Sequence, residues 1–170
     1  MKLLWWEGIM GLLMVAGCQR ASKVPKHNPY FSLTDTTKVR VPNSIWEDIL
    51  DDGVYTVTRE SSTAAPFTNE YHDFKGEGNY HCAACGNLLF HSAQKYDSGT
   101  GWPSFWQAAT PTCLLFRKDY SEREERIEVR CRRCNGHLGH LFYDGPAPTR
   151  HRYCMNSLAL KFVHMASKNQ

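Results

Sequence analysis

The sequence predicts a mainly β, antiparallel domain built around a four-cysteine metal site, and three observations carry that reading. From Tyr80 onward, short apolar runs alternate with Gly, Pro, Asp and Ser clusters, the pattern of brief strands joined by turns. Two Cys-x-x-Cys pairs, Cys82/Cys85 and Cys131/Cys134, have the spacing of metal knuckles. With 170 residues and 42% hydrophobic composition, the chain has room for one domain of ordinary size plus an extension. The formal charge of +3 arises from 20 basic and 17 acidic residues scattered along the chain. No basic run could follow a phosphate backbone, so no nucleic-acid partner is expected.

Residues 1–17 read as an export signal: Lys2 near the start, an apolar stretch from Ile9 to Ala16, too short for a membrane span of roughly 20 apolar residues. Met14-Val15-Ala16-Gly17-Cys18 resembles a bacterial lipobox, in which cleavage before the cysteine leaves its thiol to carry lipid. Cys18 is then the expected lipidation site and a lipid anchor the expected membrane contact. Glu7 and the single basic residue depart from a strong signal; a cytosolic extension and an ordinary cleaved signal are the competing readings. Gln19 replaces the aspartate that retains lipoproteins at the inner membrane, so the expected location is the periplasm-facing outer membrane of a bacterial cell envelope.

Residues 18–41 are polar, carry Pro25 and Pro29, and show no sustained apolar period, which predicts a flexible tether. The domain is expected over 42–166. It opens on a short helix: Ser44 and Glu47 fit a capping box, Ile45, Trp46, Ile49 and Leu50 share one face, and Gly53 is the expected stop. Between Val54 and Tyr80, Pro66, Gly76 and Gly78 predict loop with brief strand character. Strands are expected at Leu88-Leu89-Phe90, Cys113 to Phe116, Arg126 to Arg130, Leu141-Phe142-Tyr143 and Tyr153 to Val163.

Each knuckle places Gly or Asn directly after its second thiol, Gly86 and Asn135, where the turn needs positive φ. Four thiolates fill a tetrahedral zinc ion, Zn2+, one per chain, which makes its role structural. Such a site contributes on the order of 10 kcal/mol to folding. Redox dithiols and, in an exported protein, disulfides are the alternatives; neither pair sits in a βαβ unit as a thioredoxin-type dithiol does.

Cys154 has no pair partner nearby. In an extended segment, alternation puts Arg152, Cys154 and Asn156 on one face and Tyr153, Met155 and Ser157 on the other. An unperturbed cysteine titrates near pH ~8.5, and an adjacent cation raises its thiolate fraction. His137-Leu138-Gly139-His140 adds two groups able to carry protons near neutrality, with Gly139 read as a bend. The stretch Ser98 to Trp106 is a Gly-rich turn presenting Trp102, Phe105 and Trp106, core anchors or walls for a small apolar group.

Together, Cys82-x-x-Cys85, Tyr96-Asp97-Ser98-Gly99-x-Gly101-Trp102-Pro103-Ser104-Phe105, Cys131-x-x-Cys134, His137-Leu138-Gly139-His140, Asp144-Gly145-Pro146 and Arg152-Tyr153-Cys154-x-Asn156-Ser157 resemble the methionine-R-sulfoxide reductase (MsrB) family from about Trp46 to Val163. The resemblance implies two antiparallel β-sheets in a tent- or barrel-like arrangement with short N-terminal helices. It implies that the Cys154 thiolate attacks the sulfoxide sulfur of methionine-R-sulfoxide, mainly in oxidised proteins, leaving a sulfenic acid that thioredoxin or another thiol reductant removes. On the same basis Trp102 packs on the S-methyl group and His137, His140 and Asn156 orient oxygen and water. Arg152 favours the thiolate, and Asp144 supports these residues from behind.

The chain departs from the family at Thr100, where many members carry a resolving cysteine, and at Thr63-Ala64-Ala65-Pro66-Phe67, which lacks an acidic residue after the threonine. A hydroxyl forms no disulfide, so regeneration runs through Cys113, another cysteine, or direct attack by an external thiol. Cys113 is the candidate resolving thiol, although Cys113-Leu114-Leu115-Phe116 also reads as a buried strand. Rival classes are a zinc-ribbon-like binding module with a structural Cys154 and a peroxide-sensing thiol; the second leaves Trp102 and Asn156 unexplained.

Overall fold

The computed structural model describes residues 27–165; the signal over 1–17, Cys18 and the first part of the tether lie outside the described residues. Two helices, α1 (Asn43–Ile49) and α2 (Asp52–Glu60), precede nine strands. The strands are β1 (Gly78–Cys82), β2 (Leu88–His91), β3 (Lys95–Tyr96), β4 (Ser104–Phe105), β5 (Leu114–Asp119), β6 (Arg126–Cys131), β7 (His137–Phe142), β8 (Arg152–Met155) and β9 (Leu160–His164). They form two antiparallel sheets, one in the order β2-β1-β9 and one in the order β3-β4-β8-β7-β6-β5. The mainly β, two-sheet expectation is met.

Aromatic side chains join the sheets. Phe90 of the small sheet stacks on Phe105 of the large one at 4.3 Å between ring centres, and Tyr80 meets Phe105 edge-on at 5.0 Å. Val129, Leu138 and Met155 complete the core from the same side of the large sheet, all fully buried. Each such side chain contributes about 1.5–3 kcal/mol by leaving water. The alternation that buries Tyr153 and Met155 leaves Arg152 and Cys154 on the opposite, partly open face.

Several local expectations are corrected. Residues 27–41, expected within the tether, lie along the domain. Asn28 Nδ2 donates to the Ala84 carbonyl at 2.9 Å, the Ser32 N–H to Cys85 at 3.1 Å and the Val39 N–H to Arg133 at 2.8 Å. Arg133, only 4% exposed, donates to the carbonyls of Tyr30 (2.7 Å), Thr37 (3.1 Å) and Cys85 and pairs with Asp35 at 2.7 Å. The polar stretch thus supplies acceptors to a buried guanidinium that no apolar period could reveal.

Helix α1 begins at Asn43 after Pro42, so Ser44 lies inside its first turn and no side chain caps it. Gly53 does not end a helix but lies in the first turn of α2. That second helix replaces the expected loop. Its β-branched residues conceal it in the sequence, yet Thr56 and Thr58 bond the carbonyls of Asp52 and Val54 four residues back, and Val57 and Thr58 are buried. The expected run from Tyr153 to Val163 is two strands in different sheets. Asn156 ends the first by turning its N–H to the Leu138 carbonyl (2.8 Å), and Ala159 closes the turn on Asn156 (3.0 Å).

Candidate active site and metal centre

The two knuckles are built alike. Cys82 N–H bonds Asn87 O and Gly86 N–H bonds Cys82 O, both at 2.8 Å; Cys131 N–H to Gly136 O and Asn135 N–H to Cys131 O repeat both bonds at 2.8 Å. Gly86 and Asn135 take the expected positive φ, +80° and +59°. All four sulfurs lie within 4.8 Å of one another, Cys82 to Cys134 at 3.7 Å and Cys85 to Cys131 at 3.6 Å, and all are buried. Thiolates about 2.3 Å from one tetrahedral ion would be about 3.8 Å apart. A disulfide needs about 2.0 Å, so the spacing fits a metal site and not cross-links. Hydrogen bonds with the other three thiols, together with burial, push Cys82 well above its ordinary value, a penalty that a divalent cation among the sulfurs would relieve.

Interstrand register assembles the reactive face. Arg117, Glu128, His140, Cys154, Ser104 and Tyr96 form one row of directly paired residues across all six strands of the large sheet. His140 and Cys154 are therefore adjacent although distant in sequence. Gly139 makes this pairing close: a Cβ there would stand 2.1 Å from the Cys154 carbonyl oxygen. The His137-Leu138-Gly139-His140 segment, read as a bending loop, is the body of β7.

Each histidine is backed by a carboxylate. His137 Nδ1 bonds Glu128 at 2.8 Å, and His140 Nε2 bonds Asp119 at 2.8 Å. Since carboxylates only accept, these ring nitrogens carry the protons, leaving His137 Nε2 and His140 Nδ1 as bases in the neutral rings. His137 is 1% exposed and its Nε2 has no protein partner. Burial lowers its pKa, with Glu128 acting in opposition. Glu128 and Asp119 escaped the sequence analysis because only register reveals their partners.

Arg152 forms a bidentate pair with Asp144, at 2.8 Å for both bonds, and lies over the Phe142 ring at 4.1 Å. That pair lowers Asp144 and raises Arg152. Burial pushes the Cys154 thiol up. The Thr100 hydroxyl, followed by Arg152, pulls it back toward the thiolate.

Asn156, read as facing the ligand alongside Cys154, is 3% exposed, and both ends of its amide are engaged: Oδ1 accepts from the Ala64 N–H (3.1 Å) and Nδ2 donates to the Leu138 carbonyl (3.3 Å). Trp102 Nε1 donates to the Ala64 carbonyl at 2.9 Å. These two site residues thus hold the 63–67 loop. An open cleft of about 850 Å³ is bordered by Trp102, Phe67, Tyr96 and Lys95.

Cys113 is not brought to Cys154. It is buried, with Sγ bonding the carbonyls of Thr110 (3.2 Å) and Leu89 (3.5 Å), and burial raises its pKa. It immediately precedes β5, and two strands separate β5 from β8, which sets roughly 14 Å between them. A disulfide needs Cα atoms within about 7 Å.

The SelR domain matches residues 50–164. A peptide methionine sulfoxide reductase MsrB of Pseudomonas aeruginosa (strain UCBPP-PA14) is 46% identical over 127 residues, covering 75% of this chain and 96% of that protein. MsrB of Hahella chejuensis is 47% identical over 125 residues, 74% of this chain and 90% of its own length. MsrB of Thioalkalivibrio sulfidiphilus is 50% identical over 113 residues, 66% and 82% of the two chains.

Proposed function

This chain belongs to the SelR-domain family and is a peptide-methionine (R)-S-oxide reductase, a premise from which we propose that Cys154 is its attacking thiol. The observation that carries this reading is the register that sets His140 directly opposite Cys154, with Arg152 two residues along the same face. The Cys154 sulfur attacks the sulfoxide sulfur and takes over its oxygen; methionine leaves with the electron pair, and Cys154 becomes a sulfenic acid. His137 or His140 carries the proton to the departing oxygen, and Glu128 or Asp119 stabilises the imidazolium that donates it. Arg152, held by Asp144, offsets the developing thiolate charge. Trp102 walls the S-methyl group, and Asn156 acts by fixing the 63–67 loop beside it.

Regeneration proceeds through an external thiol such as thioredoxin. One thiol displaces water from the sulfenic acid to give a mixed disulfide, and a second releases Cys154 and leaves as the reductant's disulfide. The buried position of Cys113 supports this route. Cys82, Cys85, Cys131 and Cys134 would hold Zn2+, which soft thiolates at tetrahedral spacing favour, and the bound ion would supply a structural cross-link. Within the cell the protein repairs oxidised proteins. Cys18, by the sequence Met14 to Cys18, anchors it by lipid to the periplasmic side of the outer membrane. Labelled palmitate entering wild type but not Cys18→Ala supports the anchor; equal labelling rejects it.

The deciding assay is reduction of a methionine-R-sulfoxide peptide by the full chain with a dithiol reductant. Turnover by wild type and none by Cys154→Ser is expected. Equal turnover in both would remove Cys154 from the mechanism.

A further inference from the structure

Four hydroxyl and carbonyl groups connect to the Cys154 sulfur in one line. Thr100 Oγ1 lies 3.9 Å from Cys154 Sγ, Ser98 Oγ lies 2.8 Å from Thr100 Oγ1 and 2.7 Å from Ser104 Oγ, and Ser104 Oγ donates to the Trp102 carbonyl at 3.2 Å. Ser104 is fully buried and sits opposite Cys154 in the β4–β8 ladder. The same three hydroxyls come from the Gly-rich loop whose resolving cysteine is replaced by Thr100.

Proton counting gives this line two complete arrangements. Each hydroxyl owns one hydrogen, and the Trp102 carbonyl can only accept. With Cys154 as a thiol, S–H donates to Thr100, Thr100 to Ser98, Ser98 to Ser104, and Ser104 to Trp102. Once Cys154 has lost its proton, every hydroxyl can turn: Ser104 donates to Ser98, Ser98 to Thr100, and Thr100 to the thiolate. The reversal breaks one bond, that from Ser104 to the Trp102 carbonyl.

We propose that Thr100, positioned by Ser98 and Ser104, is a reversible hydrogen-bond partner of the Cys154 sulfur, accepting from the thiol and donating to the thiolate. The relay deepens the reductase reading above, because it gives the thiol that attacks the sulfoxide a donor that needs no net charge. Arg152 gives Nε and Nη2 to Asp144 and acts on Cys154 chiefly through its charge. The remaining groups facing Cys154 are His140 on β7, itself bonded to Asp119, and Tyr96 on β3. Neither contributes a hydrogen bond to the sulfur. Aligned hydroxyls polarise one another, so Ser98 and Ser104 strengthen the bond that Thr100 makes. Among the influences that favour the thiolate, Thr100 stands first and Arg152 second, both working against burial.

The test is the pH dependence of Cys154 alkylation by iodoacetamide in the metal-loaded full chain, followed on the Cys154 peptide by mass spectrometry so that Cys18 and Cys113 do not contribute. It needs no sulfoxide, so it judges the relay apart from the reductase reading. Thr100→Val, which keeps the shape and removes the hydroxyl, is expected to raise the alkylation midpoint by about one pH unit, roughly a tenfold slower reaction at neutral pH. Thr100→Ser is expected to restore it, and Ser98→Ala to shift it the same way by less. Metal content and the urea midpoint report whether each variant keeps the fold; should Thr100→Val lose it, Ser98→Ala and Thr100→Ser carry the same comparison. An unchanged or lowered midpoint without the hydroxyl, or a serine that fails to rescue, overturns the proposal.

Discussion

Asn156 and Trp102 hold opposite ends of one residue, Ala64: Asn156 Oδ1 accepts its N–H at 3.1 Å and the Trp102 indole donates to its carbonyl at 2.9 Å. The loop over 63–67 is thereby fastened to the strand end that carries Cys154 and to the turn that carries Trp102. Asn156→Ala should leave the partly buried Ala64 N–H unpaired and lower stability by about 1 kcal/mol in urea unfolding. Sulfoxide turnover should fall roughly tenfold or more as Trp102 loses its position, while Cys154 alkylation stays at the wild-type rate. Equal losses in both would show that Asn156 acts on the thiol itself.

The stretch from Asn28 to Val39 fastens onto both knuckles, chiefly through Arg133. Arg133→Ala should leave several carbonyls without their donor, free this stretch to early proteolysis, and speed metal transfer to a chelator. Metal analysis should find one ion per chain in wild type. Cys82→Ser should fail to retain the ion and lose several kcal/mol of stability, because metal affinity is folding energy here. Chelator kinetics indistinguishable between wild type and Arg133→Ala would show that the docked stretch does not guard the site.

Cys113 is buried, with its sulfur held against the Leu89 and Thr110 carbonyls. Cys113→Ala should therefore turn over with thioredoxin within about twofold of wild type, at a cost of about 1 kcal/mol from the small cavity. After one turnover without reductant, a sulfenic-acid probe should label Cys154. A Cys113–Cys154 disulfide in the peptide map would contradict this geometry.

Asp119 accepts from the Ser121 backbone and receives His140 and Arg126, which holds its carboxyl below the ordinary carboxylate range. Thr37 N–H does the same for Asp35, lowering it to about 2, and Arg152 for Asp144. These groups are depressed in the folded chain, so the unfolded chain takes up their protons first as pH falls. Their stabilisation is complete above about pH 4 and is lost as the pH drops through the folded values. Urea midpoints between pH 5 and pH 2.5 should fall, and Asp119→Asn should fall less steeply. Parallel slopes would exclude Asp119 as a contributor.

Residues whose chemistry is local were legible in the sequence. Cys82, Cys85, Cys131 and Cys134 declare themselves by spacing, and Gly86 and Asn135 by the positive φ that each knuckle imposes. Cys154 stands out as the thiol without a neighbour. Helix α2 was not legible, since Val54, Thr56, Val57 and Thr58 favour strands when isolated and become helical through buried packing and back-bonds to the preceding turn.

By itself the sequence pointed to the four cysteines of the candidate metal site, the candidate reactive cysteine and the alternation that puts Arg152 and Cys154 on one face, because each depends on spacings of a few residues. Only the tertiary structure decided which groups meet that thiol. Strand register placed His140 and Ser104 opposite Cys154 and brought Glu128 and Asp119 to the histidines, while the strand order set Cys113, just before β5, away from Cys154 on β8. A register is set by packing across the whole sheet, and a slip of one residue would turn every one of these side chains to the other face.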